Sequence, residues 1–131
     1  MTYYSDGSPY EYDEPSEGMV NVGWLDGSHE YSEGDVPDDV VDGLLRLAIN
    51  PVNLTRGFHT CDLCNRFYLK VQNPHSASGT TLLGTAEIHV RGDANTVFAA
   101  PDLVIHYILD HGYSPPLPFQ TAVLALYAPN V

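Results

Sequence analysis

Cys61 and Cys64 stand two residues apart and are the only two cysteines in the chain. A Cys-x-x-Cys pair can present two thiolates to one metal ion from a single tight turn. His59 lies two residues before the first cysteine, and a further pair of donors, His106 and His111, is spaced His-x4-His. Two thiolates and two imidazoles make the mixed sulfur and nitrogen set that zinc favours. The expected cofactor is one zinc ion held by Cys61, Cys64, His106 and His111, with His59 as an alternative ligand. Three other chemistries fit the same residue types. A redox dithiol is one, although such motifs usually open a helix after a strand and Pro51 to Gly57 reads as a loop. A Cys/His catalytic pair with Cys61 or Cys64 as nucleophile is another. The third is a pair of small buried thiols beside a satisfied core histidine.

The histidine spacing sets a geometric condition. Successive residues of an ideal helix turn by about 100°, so a five-residue step leaves two side chains about 140° apart. A tightened or loosened final turn must bring His106 and His111 together. A Cys-x-x-Cys turn, a hairpin and a helix with two histidines then follow in the order of an enlarged two-Cys, two-His zinc finger. The 41 residues from Asn65 to Ile105 limit that likeness to topology.

Glu87 stands mid-strand between Ala86 and Ile88. It is expected to face solvent. Turned inward it would need a partner, Arg56 or a ligand histidine, because an unpaired buried carboxylate is costly. Beside a metal-bound water it could act as a general acid/base. Asp62, inside the chelate turn, is expected to orient it through backbone amides. Trp24 reads as core.

The elements that must position these residues follow from pattern and punctuation. Val20 to Leu25, Phe67 to Val71, Thr85 to Val90 and Thr96 to Ala99 read as strands, the last two closing a hairpin through Gly92-Asp93-Ala94-Asn95. A helix over 37–49 is predicted from Pro37, the acids Asp38 and Asp39, a broad apolar stripe and the stop at Pro51, with Asp35 as its cap. Gly43 weakens it modestly. A second helix over 101–111 starts at Pro101 and ends on Gly112. A third, over 118–127, buries Phe119, Ala122, Val123 and Leu126 and ends at Pro129. Residues 73–80 read as a loop. The expected fold is α+β: a small antiparallel sheet packed by about three helices, with the zinc site linking the Cys-x-x-Cys turn to the second helix. Residues 1–18 form an acidic, tyrosine-rich arm lying partly along the rest, and 19–131 form a single domain.

Gly23-Trp24-Leu25-Asp26, the run from Pro51 to Cys64, Gly84-Thr85-Ala86-Glu87-Ile88, and Ala99-Ala100-Pro101 leading to His106-Tyr107 and His111-Gly112-Tyr113 resemble the signature of a family of small, uncharacterised bacterial proteins common in actinobacteria. Its motifs are Gly-Phe-His-x-Cys-x-x-Cys and His-Tyr-x-x-x-His-Gly-Tyr, and the likeness spans roughly residues 20–125. The resemblance implies that Cys61, Cys64, Glu87, His106 and His111 belong to one shared pattern. It brings no activity with it. The segment from Asn65 to Ser78 is shorter than the family's corresponding stretch.

Charge bounds the partners. The net charge is −12 over 131 residues. Residues 1–42 hold twelve acids and no Lys or Arg, whereas 43–131 hold five of each sign, so the imbalance lies in the first third. Such a surface repels phosphates, so direct nucleic-acid binding is not expected. It suits a basic protein partner, or simply a solvated face that aids solubility. No basic segment followed by an apolar run opens the chain, and no stretch approaches the ~18 apolar residues of a membrane span. A cytoplasmic protein is expected, where Cys-x-x-Cys pairs serve metal or redox roles more often than structural disulfides. Asn53-Leu54-Thr55 as a glycosylation site and Arg91-Gly92-Asp93 as an adhesion tripeptide are discounted on the same ground. Two functions follow: an interaction module of immunity or adaptor type with a structural zinc, or a small zinc-dependent hydrolase using Glu87.

Overall fold

The hairpin at the centre of the fold is built from Glu87–Arg91 (β4) and Val97–Pro101 (β5), antiparallel and running from Glu87 opposite Pro101 to Arg91 opposite Val97. Its turn closes with the Gly92 N–H donating to the Thr96 carbonyl at 2.9 Å. The computed structural model describes residues 3–10, 18–53, 59–66 and 69–127. Tyr12 of the arm, Arg56 as a partner for Glu87, Phe67 at a strand start and Pro129 as a helix stop lie outside them.

Met19–Asn21 (β1) pairs with β5 in parallel, placing β5 in the middle of a three-stranded sheet. The fold is α+β as expected, with small sheets and three helices, and the parallel β1 makes the larger of the two sheets mixed. Parallel neighbours need a long crossover, and here the chain between β1 and β5 supplies it. Local pattern marks a strand but not its neighbour. β1 stops short of Leu25 because Gly23 takes a left-handed φ of +78°. Trp24 instead pairs with Tyr4, and its indole N–H donates to the Ala99 carbonyl at 2.9 Å.

A separate antiparallel ribbon joins Lys70–Gln72 (β2) to Thr80–Leu82 (β3). The second of these strands falls at the end of the stretch read as loop. Its anchor is Asn73, wholly buried, whose side-chain amide donates to the Leu45 carbonyl and to Thr81 Oγ1, each at 2.9 Å.

Three helices cover these sheets. Asp38–Leu47 (α1) begins after Pro37 with no side-chain cap, so Asp35 does not cap it. Val104–His111 (α2) starts three residues later than expected, because Pro101 is still paired opposite Glu87. Leu117–Tyr127 (α3) buries Phe119, Ala122 and Val123 but leaves Leu126 47% exposed. Gln120 takes a buried place there, its amide donating to the Pro115 carbonyl at 2.8 Å. The common core joins Val40 and Leu44 of α1, Ile88 and Val90 of β4, Ile105 and Tyr107 of α2, and Phe119 of α3.

Residues 3–10 lie against this core. Pro9 bridges Val20, Tyr10 is buried, and Asp6 accepts the Gly23 N–H at 2.9 Å and the Tyr113 hydroxyl at 2.8 Å.

Candidate metal centre

The cysteine turn is wound tightly enough to point both thiols one way. The Asn65 N–H donates back to the Cys61 carbonyl at 2.7 Å, and the Cys61 N–H donates to the Arg66 carbonyl at 3.0 Å. Asn65 closes the turn at φ +59°, a left-handed conformation that asparagine tolerates better than most residues. Asp102, just ahead of α2, fixes the loop from the other side. Its carboxylate accepts the Gly84 N–H at 2.8 Å, and the Gly84 carbonyl accepts the His59 N–H at 2.7 Å. A side chain at Gly84 would collide with the His59 carbonyl, 2.7 Å from its ideal Cβ. The loop and the helix are thus tied together before any ligand is considered.

α2 stays α-helical to His111, and its end is closed by a left-handed cap: the Gly112 N–H reaches the Tyr107 carbonyl and the Tyr113 N–H donates to the same carbonyl at 3.1 Å. Gly112 accommodates the reversal at φ +67°. The two imidazoles therefore meet through the reach of their side chains around the last turn, without a widened helix. The rings of His106 and His111 lie 4.9 Å apart at 83°.

The four side chains converge. One donor atom from each of Cys61, Cys64, His106 and His111 lies within 4.8 Å of every other. His106 Nε2 and His111 Nε2 are 3.2 Å apart, Cys64 Sγ and His106 Nε2 3.4 Å, and Cys61 Sγ and His111 Nε2 3.5 Å. A tetrahedron with zinc-like bonds of about 2.3 Å to sulfur and about 2.0 Å to nitrogen has edges of about 3.3 Å between nitrogens and about 3.5 Å between sulfur and nitrogen. The spacing is that of ligands around one ion, and the cluster can bind a metal. Both thiols are free. Burial pushes the Cys61 thiol up. Burial also raises Cys64, but the side-chain and backbone N–H of Arg66 and the two imidazoles outweigh it and bring that thiol down to about 5. Cys64 is therefore the thiolate formed first.

Two residues behind the ligands were not foreseen. Asp110 Oδ2 lies 3.0 Å from His106 Nδ1 and accepts from Arg66 Nη2 at 2.9 Å, while Arg66 Nε donates to Cys64 Sγ at 3.4 Å. The Asp110 carboxylate at Nδ1 leaves Nε2 as the ring atom that faces the cluster. The signal for Asp110 was its place four residues after His106 on a helix, the spacing at which side chains meet. Nothing in sequence spacing marked Arg66, 44 residues from Asp110.

His59 does not join the four, and its side chain is exposed. Glu87 corrects the expectation of a solvent-facing residue, being only 4% exposed. Its Oε1 accepts the Tyr10 hydroxyl at 3.0 Å and the Asn53 amide at 3.3 Å, and lies 2.8 Å from His89 Nε2. Burial follows from β5, since the position opposite Pro101 faces inward once residues 3–10 cover the sheet. None of the four cluster residues is among those partners. Trp24 is core as expected, 7% exposed.

The chain belongs to the family described as a domain of unknown function, DUF7919, which matches residues 2–124. The match takes in the acidic first segment as well as the whole cluster. No curated protein and no solved structure matches the chain. No helix among the described residues is long and apolar enough to cross a membrane.

Proposed function

We propose that this member of the family holds one zinc ion at Cys61, Cys64, His106 and His111, and that the ion is structural. The observation that carries the reading is the spacing of the four donors along tetrahedron edges. Zinc is the choice for two thiolates and two imidazoles, and four protein ligands close its coordination. Bound there, it would tie the cysteine turn to the end of α2 and supply no reaction. Around it we infer one domain over 19–131, with the acidic segment 1–18 laid on it. The domain serves as a cytoplasmic interaction module of immunity or adaptor type that meets a basic protein partner. The charge of residues 1–42 supports this partner class. The two Cys/His motifs are taken as the family signature, with an actinobacterial source. The hydrolase reading asks for three ligands, an open position and Glu87 beside it. Four converging donors, and a Glu87 bonded to Tyr10, Asn53 and His89, give it no support.

Metal analysis of untagged protein tests the site, and close to one zinc per chain is expected. A stoichiometry near zero would reject it. His111→Ala should remove tight binding while His59→Ala leaves it unchanged, and the reverse would make His59 the fourth ligand. Capture of a partner at low salt with release at high salt tests the interaction reading, since exposed charge pairs are screened.

A further inference from the structure

We propose that the cavity walled by Tyr3, Tyr4 and Tyr31 receives one cationic side chain, arginine or lysine, from a basic protein segment; this rests on the interaction reading above and names its recognition site. The cavity has a volume of about 390 Å³ and is lined also by the acidic residues Asp6 and Glu30. That volume falls within the range of small-ligand sites, about 300–1,000 Å³. Among the described residues, no Lys or Arg lines it.

Each ring is fixed by a second aromatic. Tyr3 stacks on His29 with centroids 3.7 Å apart, Tyr4 meets Trp24 edge-on at 5.6 Å, and Tyr31 meets Tyr113 edge-on at 6.2 Å. The Tyr31 hydroxyl donates to the His111 carbonyl at 2.9 Å, which anchors this wall to the end of α2. Asp6 is held by the Gly23 N–H and the Tyr113 hydroxyl. His29, the basic side chain stacked on Tyr3, is engaged by Asp26 at 2.7 Å. Glu30 makes no hydrogen bond or ion pair among the described residues, so its charge is available to a ligand. Fixed aromatic walls with anionic side chains favour a cation, through ring quadrupoles and charge together. A guanidinium adds planarity and a fork that fits a carboxylate. A neutral aromatic ligand would leave both carboxylates without a counter-charge, and a phosphate would be repelled by them.

The test is an NMR titration of the full chain, as purified, with three capped tripeptides of the form Ser-X-Ser at constant ionic strength. X is arginine, lysine, or citrulline, which keeps the shape of arginine without its charge. The arginine and lysine peptides should shift the amides of Tyr3, Tyr4, Tyr31 and Ser32 saturably, with the citrulline peptide about fivefold weaker or more. Glu30→Gln, at an exposed position, should weaken the charged peptides about threefold, and Tyr3→Leu by a similar factor. Equal binding of the citrulline peptide, shifts that map to another face, or no saturable shift overturns the proposal. If these titrations fail while salt-sensitive partner capture persists, the cavity is wrong and the interaction reading stands. If the peptides bind but no partner is captured, the cavity stands and that reading falls.

Discussion

His106 is aimed by a carboxylate. Asp110 sits one helical turn away, 3.0 Å from Nδ1, and Arg66 holds that carboxylate in turn. Such partners fix both the tautomer and the orientation of a ligating imidazole, and losing one typically costs 10- to 100-fold in metal affinity. Asp110 is 46% exposed, so the lower end applies, and Asp110→Ala should weaken zinc about tenfold in chelator competition. If the pair were only a surface salt bridge, affinity would not move. Tyr107 makes the opposite case. Its ring is wholly buried, and its hydroxyl has no hydrogen-bond partner among the described residues. An unsatisfied buried hydroxyl costs about 1–3 kcal/mol, so Tyr107→Phe should raise stability by about 1 kcal/mol in urea unfolding. A loss of stability would mean that the hydroxyl is satisfied after all.

At the scale of elements, Gly43 decides how closely α1 and α3 approach. An ideal Cβ there would lie 2.6 Å from Val123 Cγ1 and 3.2 Å from the Tyr127 ring. Helix propensity alone favours Gly43→Ala by about 1 kcal/mol. Overpacking costs about 1–3 kcal/mol, and Val123 is fully buried and branched, so it has little room to yield. Packing wins, and Gly43→Ala should lower the stability measured in urea by about 1 kcal/mol. A more stable variant would show that the two helices can part at little cost. The sequence made this residue look like a modest flaw in α1, because propensity is local and the helix it admits is more than 70 residues away.

Asp102 links the scales, since it joins the Gly84 loop to the start of α2 and is almost wholly buried. Burial raises its carboxyl from 3.8 to about 6, against the pull of the Gly84, Thr85 and Ala86 N–H groups. Between those values the folded chain binds more protons than the unfolded chain, so stability falls as pH rises. The cost is absent below about 3.8 and complete above about 6, where it is on the order of 2–3 kcal/mol. Asp102→Asn keeps an acceptor for Gly84 without the charge. Comparing the two proteins in urea from pH 4 to 7 cancels pH dependence that they share, including that of any metal bound at the cluster. The wild type should lose ground against the variant through this window, and parallel curves would refute the assignment.

The chain by itself determined the parts of this protein that depend on neighbours in sequence. The hairpin of β4 and β5, the stop of α2 at Gly112 and the stripe of α1 all follow from periodicity and turn chemistry, which act over a few residues. That Cys61, Cys64, His106 and His111 are candidate ligands was also legible, because few side chains suit a metal and this chain has one cysteine pair. Tertiary structure alone decided what depends on residues far apart. It set β1 parallel beside β5, turned Glu87 inward under residues 3–10, left His59 outside the four-residue cluster, and brought Arg66 to Asp110. It also brought the imidazoles of His106 and His111 to 3.2 Å between their Nε2 atoms, although ideal helical geometry points positions five apart in different directions. The physical reason is common to all of these. Local propensity fixes which way a backbone bends, but burial and the pairing of polar groups are satisfied only between elements, and those terms choose which side chains meet.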